Sequence, residues 1–194
     1  GGMGISQGGS VRIVTERTKM AMPETHIGLF PDVGGGYFLS RCPGHLGEYL
    51  ALTGHTLGGH EAVAAGLADG YIDSGRLPIL WDTLAATPFE SSEAIEHWIA
   101  TSFAANNDRP KLGKKQIDAF FARETVVAIV QALEADPSDW AQGTAALLRK
   151  RSPLMLHVVL EQVRRARVMG LADDLRMERD MVRHCFNTVH LGRS

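Results

Sequence analysis

The chain has 194 residues, 44% of them hydrophobic and 22% charged, ordinary values for a globular protein that exclude disorder as its main state. Its formal net charge of −2 removes any whole-chain electrostatic case for binding nucleic acid or an acidic lipid surface. No apolar run approaches the ~18–20 residues needed to span a membrane. Glycine is the unusual residue: of 21 glycines, 17 lie in residues 1–75, whereas Trp81, Trp98 and Trp140 all lie beyond them. This asymmetry divides the chain into a glycine-rich part, 1–75, and a helix-like part, 76–194.

In chain order, Val11 to Val14 alternates apolar and polar residues and reads as a strand. Lys19 to Met22 is a second short apolar run, stopped by Pro23, which cannot donate to a sheet ladder. Glu24 to Phe30 reads as a loop or short helix. Asp32 has the position to cap a helix that opens at Gly34-Gly35-Gly36. Residues 45–53 are a helix candidate ended by Gly54, and residues 61–65 another ended by Gly66. Gly70 to Asp73 is a short strand candidate.

From about residue 76 the apolar period is helical. Helices are expected from Ser91 or Ser92, over residues 124–135, and again from Ser138 or Asp139 after the break at Asp136-Pro137. Ser152-Pro153 is a strong helix start, with serine at the cap and proline in the first turn. Met155, Val158, Val159, Gln162, Val163 and Ala166 then repeat on one face. The last helix, about 171–186, carries a stripe of Leu171, Leu175, Glu178, Val182 and Cys185, with Glu178 expected to form a buried or half-buried ion pair with a nearby arginine. Cys42 and Cys185 are too few for a disulfide framework and read as reduced thiols. The chain opens Gly1-Gly2-Met3-Gly4 and ends directly after a helical pattern, which reads as an internal piece of a longer protein.

Three features bear on chemistry. Consecutive glycines at Gly1, Gly2 and Gly4 entering a helix leave N–H groups approachable by an oxyanion or a phosphate, although a tight turn accounts for them equally well. The GxGxxG and P-loop patterns both fail. Glu24, just after an apolar run, has the placement of a partly desolvated carboxylate suited to acid/base or nucleophilic work, and otherwise that of an ordinary loop glutamate. Asp32 follows eight residues later, either as a helix cap or as a second carboxylate in the same pocket. The eight histidines form no metal-binding spacing, and no metal is expected.

The stretch Ala21 to Asp73, with its MPET-x4-F-PDVGGGYFL motif, resembles the crotonase (enoyl-CoA hydratase/isomerase) superfamily, and within it the 3-hydroxyisobutyryl-CoA hydrolases. The blocks around Gly1–Ser6, Ser152–Gln162 and Leu171–Met181 are similar to the same family; the likeness is weaker between about 77 and 148. The resemblance implies an α/β fold, a partial crotonase-like ββα spiral core followed by a helical region incomplete at its C-terminus. It implies an acyl-CoA substrate with no separate cofactor, Gly1 as the second oxyanion donor, and Glu24 and Asp32 as catalytic, substrate-binding carboxylates. Hydratases of the superfamily carry a glutamate where this chain has Gly4. That departure favours hydrolysis of a short branched 3-hydroxyacyl-CoA, as in valine catabolism, over hydration or isomerisation or a non-catalytic acyl-CoA-binding role. The resemblance also implies a homo-oligomer, and a cytoplasmic location in a bacterium or the mitochondrial matrix in a eukaryote.

Overall fold

The computed structural model describes residues 2–103 and 113–190. Gly2–Gln7 form helix α1, Ile13–Val14 strand β1 and Glu24–Ile27 a 3-10 turn; Gly35–Ser40, Leu46–Thr53 and Gly59–Ala64 form α2, α3 and α4. Gly70–Tyr71 form β2. Helices α5 (Leu77–Ala86), α6 (Ser92–Phe103), α7 (Lys114–Phe121), α8 (Val126–Ala135), α9 (Asp139–Arg149), α10 (Pro153–Ala166) and α11 (Leu171–His190) complete the described chain.

The strand expected over 11–14 shortens to Ile13–Val14, which pairs in parallel with Gly70–Tyr71. Arg12 fixes this pairing, its guanidinium clasping the Asp69 carboxylate at 2.7 and 2.8 Å while its carbonyl accepts from the Asp69 N–H. The apolar run at 19–22 forms no strand. Met20 alone makes an antiparallel bridge to Leu57, since Pro23 ends the available backbone donors.

Local capping chemistry sets the starts of α8, α9 and α10. Thr125, Ser138 and Ser152 each accept a hydrogen bond from the backbone N–H three residues on. At the far end of α3, Gly54 adopts φ 66°, the left-handed C-cap its sequence position suggests. Helix α10 lies across α2 and α3, and one apolar core runs from Met22 and Leu39 through Leu52, Phe121, Ile129 and Leu133 to Val159 and Val163. The glycine-rich and helix-like parts therefore share a core. Helix α5 buries none of its side chains, and Ile79 and Trp81 stand exposed on it.

The last helix keeps the expected stripe at Glu178, Val182 and Cys185 and departs from it in its first turn and a half. Val182 and Cys185 pack against the core, but Leu171 and Leu175 are 39% and 42% exposed, while Asp174 and Glu178 are buried. The acidic pair, one turn apart, faces the bare N–H groups at the start of α2, and that pairing outweighs the burial of two leucines. Both cysteines are free thiols; burial, with the charge of Glu48 adding, pushes the Cys42 thiol up to about 12.

Candidate active site

Glu24 opens the 3-10 turn that follows buried Met22. The turn is tied to α3 by a bond from Thr25 Oγ1 to the Leu52 carbonyl at 3.2 Å, and by His26 Nε2 beside the Thr53 carbonyl at 3.3 Å. Gly28, at φ 73°, closes it. The carboxylate is half-buried, and its Oε2 is shielded from solvent without a hydrogen-bond partner. Burial pushes the Glu24 carboxyl above its ordinary range; a bond from its own backbone opposes this, and the negative charge of Asp32 adds to it. The structure thus brings Glu24 and Asp32 within electrostatic reach of each other. An unpartnered, partly desolvated carboxylate oxygen is suited to accept a proton from water or to attack a carbonyl.

Asp32 is half-buried in the loop before α2, and its side chain does not cap that helix. Gly34, at φ 81°, occupies the cap position, and the Asp32 backbone carbonyl accepts from Gly35 N–H at 3.0 Å. Helix α2 is capped from a distance. Glu178 Oε2 accepts from Gly34 N–H at 2.8 Å, Glu178 Oε1 from Gly36 N–H at 3.1 Å, and Asp174 Oδ2 from Tyr37 N–H at 2.9 Å. This corrects the expected ion pair: backbone N–H groups, rather than an arginine, meet Glu178. Ionising a carboxyl in this dry place is costly despite those two bonds, and burial, with Asp174 adding, lifts Glu178 from 4.5 to about 7.

Next to Asp32 stands Val33, which sequence reasoning passed over. Its φ of 57° makes it the one non-glycine residue with positive φ among the described residues. In this conformation it lies over α1, where a Cβ built on Gly4 would come 2.5 Å from Val33 Cγ1 and 2.7 Å from its carbonyl oxygen. Only glycine fits at position 4. The one local hint was the glycine triplet beside it; nothing in the residue type of Val33 announces a left-handed conformation.

Gly1, the expected oxyanion donor, lies outside the described residues. An apolar groove of about 850 Å³ opens between α10 and α11, bounded by Gly28 and Leu29 just past the Glu24 turn, and neither Glu24 nor Asp32 lines it. Among the described residues no group of three or more His, Cys, Asp or Glu side chains could hold a metal ion, and no helix is long and apolar enough to cross a membrane.

The described residues, helical with one short parallel strand pair and with Asp32 within electrostatic reach of Glu24, belong to a chain that matches known proteins. The enoyl-CoA hydratase/isomerase family matches residues 1–191, and this chain belongs to it. It is 40% identical over 195 residues to a probable 3-hydroxyisobutyryl-CoA hydrolase 2 of Arabidopsis thaliana, covering 95% of this chain and 50% of that protein. It is 38% identical over 192 residues to the mitochondrial 3-hydroxyisobutyryl-CoA hydrolase of Xenopus tropicalis, with the same coverage. Among solved structures, a carnitinyl-CoA dehydratase from Mycobacterium thermoresistibile superposes with a TM-score of 0.73 at 38% identity, over 91% of this chain and 51% of that one. An enoyl-CoA hydratase from Rhodobacter sphaeroides gives 0.75 at 34% identity, over 91% and 50%. The fold is the α/β crotonase fold, and the chain spans about half the length of the curated relatives it matches.

Proposed function

We propose that the protein containing this chain hydrolyses a short branched 3-hydroxyacyl-CoA thioester, of the 3-hydroxyisobutyryl-CoA kind, to the free acid and CoA. The observation that carries this reading is Val33 over Gly4. Its side chain fills the space that a glutamate at position 4 would need for a two-glutamate hydration, which leaves Glu24 and Asp32 as the acid pair. Glu24 is the general base for water, or the nucleophile that forms an acyl-enzyme anhydride, and its partnerless Oε2 is the reacting atom. Asp32 orients the substrate hydroxyl or assists proton transfer. Gly1 N–H helps hold the thioester oxygen as it becomes an oxyanion. The relatives named 3-hydroxyisobutyryl-CoA hydrolase support the choice of substrate class, and those named mitochondrial support a mitochondrial location for a eukaryotic source. CoA belongs to the substrate, and the reading calls for no further cofactor.

The test is release of free thiol from a panel of acyl-CoAs by the full-length protein. Glu24→Gln and Asp32→Asn are each expected to slow it by ~10²–10⁴; near-native rates in both would overturn the assignment. A second reading, hydration or dehydration of an acyl-CoA double bond, is favoured by the solved structures named dehydratase and hydratase. Product analysis separates the two, because only hydrolysis frees CoA.

A further inference from the structure

The segment that presents Asp32 is gripped from outside on both sides. Ahead of it, the Pro31 carbonyl accepts from Gln162 Nε2 of α10 at 2.6 Å. Behind it, Gly34 and Gly36 donate to the two oxygens of Glu178, and Tyr37 donates to Asp174, both carboxylates belonging to α11. Asp32 and Val33 are the two residues between these anchors, and Val33 sits at φ 57°. A β-branched residue stays in the left-handed region only when its surroundings leave it no alternative. The anchors are dry: Gln162, Asp174 and Glu178 are 2%, 0% and 3% exposed, so water cannot replace a lost bond. The fit is close, since a Cβ on Gly36 would come 2.5 Å from Asp174 Oδ1.

We propose that Glu178, seconded by Gln162 and Asp174, is a positioning residue that clamps the strained Asp32–Val33 arch and so sets the place of Asp32 relative to Glu24. This rests on Glu24 and Asp32 being the reacting pair, as argued above. The clamp acts through the backbone and does not touch substrate. A carboxylate suits the task because each of its oxygens takes one N–H, whereas an amide would turn its own NH₂ toward one of them. The charged group facing Glu178 from its own helix is Asp174; α10 presents the neutral amide of Gln162, with Nε2 at 3.5 Å, and α2 presents N–H groups.

The experiment compares the full-length protein with Glu178→Gln, with Val33→Gly, and with the double variant. Glu178→Gln is expected to lower kcat by about 10- to 100-fold with little change in KM, as misplacement of a reacting group does. Amide exchange at Gly34, Gly36 and Tyr37 is expected to speed up in the same variant. In the Val33→Gly background the Glu178→Gln loss is expected to shrink at least threefold, because glycine holds the arch without strain and needs less clamping. Equal losses in both backgrounds, or an unchanged kcat in Glu178→Gln, would overturn the proposal. Should Glu178→Gln fail to fold, Gln162→Leu frees the Pro31 carbonyl and removes the longer 3.5 Å bond to Glu178, and is expected to lower kcat in the same direction, less steeply; an unchanged kcat there counts against the clamp. The exchange measurement needs no substrate. A wild type inactive on every acyl-CoA would sink the hydrolase reading, while unchanged exchange at the three amides would sink the clamp whatever the activity.

Discussion

At position 33 a valine does what glycine normally does, at a cost of about 1–3 kcal/mol for the strained backbone. In exchange its Cγ1 and carbonyl lie against Gly4 of α1. Gly4→Ala already adds a Cβ at 2.5 Å from Val33 Cγ1. We expect it to destabilise the fold by about 1–3 kcal/mol through overpacking, read from urea unfolding; a midpoint equal to that of wild type would show that the contact yields freely. Glu24 and Asp32 were legible as candidates because their motif spacing is local. The conformation of Val33 was not, because it is imposed by anchors more than a hundred residues away in sequence.

Helix ends and helix faces differed in legibility. The caps at Ser138 and Ser152 and the stop at Gly54 follow from residues within one turn, and the structure has them where the sequence places them. The start of α11 was misread because Leu171 and Leu175 satisfy the apolar period, yet Asp174, off that stripe, is buried against the Tyr37 N–H, as Glu178, on it, is buried against those of Gly34 and Gly36. A comparable polar join binds α3 to the end of α10. Glu48, fully buried, takes bonds of 2.7 and 2.8 Å from Arg167 Nη2 and lies 3.1 Å from His45 Nδ1. Arg167→Ala leaves that carboxylate facing one histidine. We expect a loss of about 3 kcal/mol, at the low end for a buried pair because the Arg167 side chain is 34% exposed. Arg167→Ala and Glu48→Gln combined should cost less than the sum of the two measured singly.

Over the whole molecule, one buried and one half-buried carboxyl give stability an unusual pH dependence. Glu178 is raised from 4.5 to about 7, so between those values the folded protein holds a proton that the unfolded chain has released. Its stabilising contribution is complete below 4.5 and is lost as the pH rises through about 7. Glu24, lifted by burial, acts in the same direction. Asp69, lowered by its bond to Arg12, works the opposite way at more acid pH, where its protonation loosens the β1–β2 join. Thermal midpoints of the full-length protein are therefore expected to decline from about pH 5 to pH 7, with a shallower slope in Glu178→Gln. Equal slopes would mean that Glu178 titrates in its ordinary range.

The sequence by itself determined where several helices begin and end, which residues of α10 repeat toward a core, and, through one motif, which two carboxylates to suspect. These are readable because caps, periodicity and turn chemistry act over a few neighbouring residues. Tertiary structure decided what meets those elements. The N–H groups at the start of α2 had to be satisfied, but which acceptor satisfies them depends on packing, and the glutamate that does so lies 142 and 144 residues further along the chain. The same packing holds Val33 in a conformation its side chain disfavours, and with it the placement of Asp32.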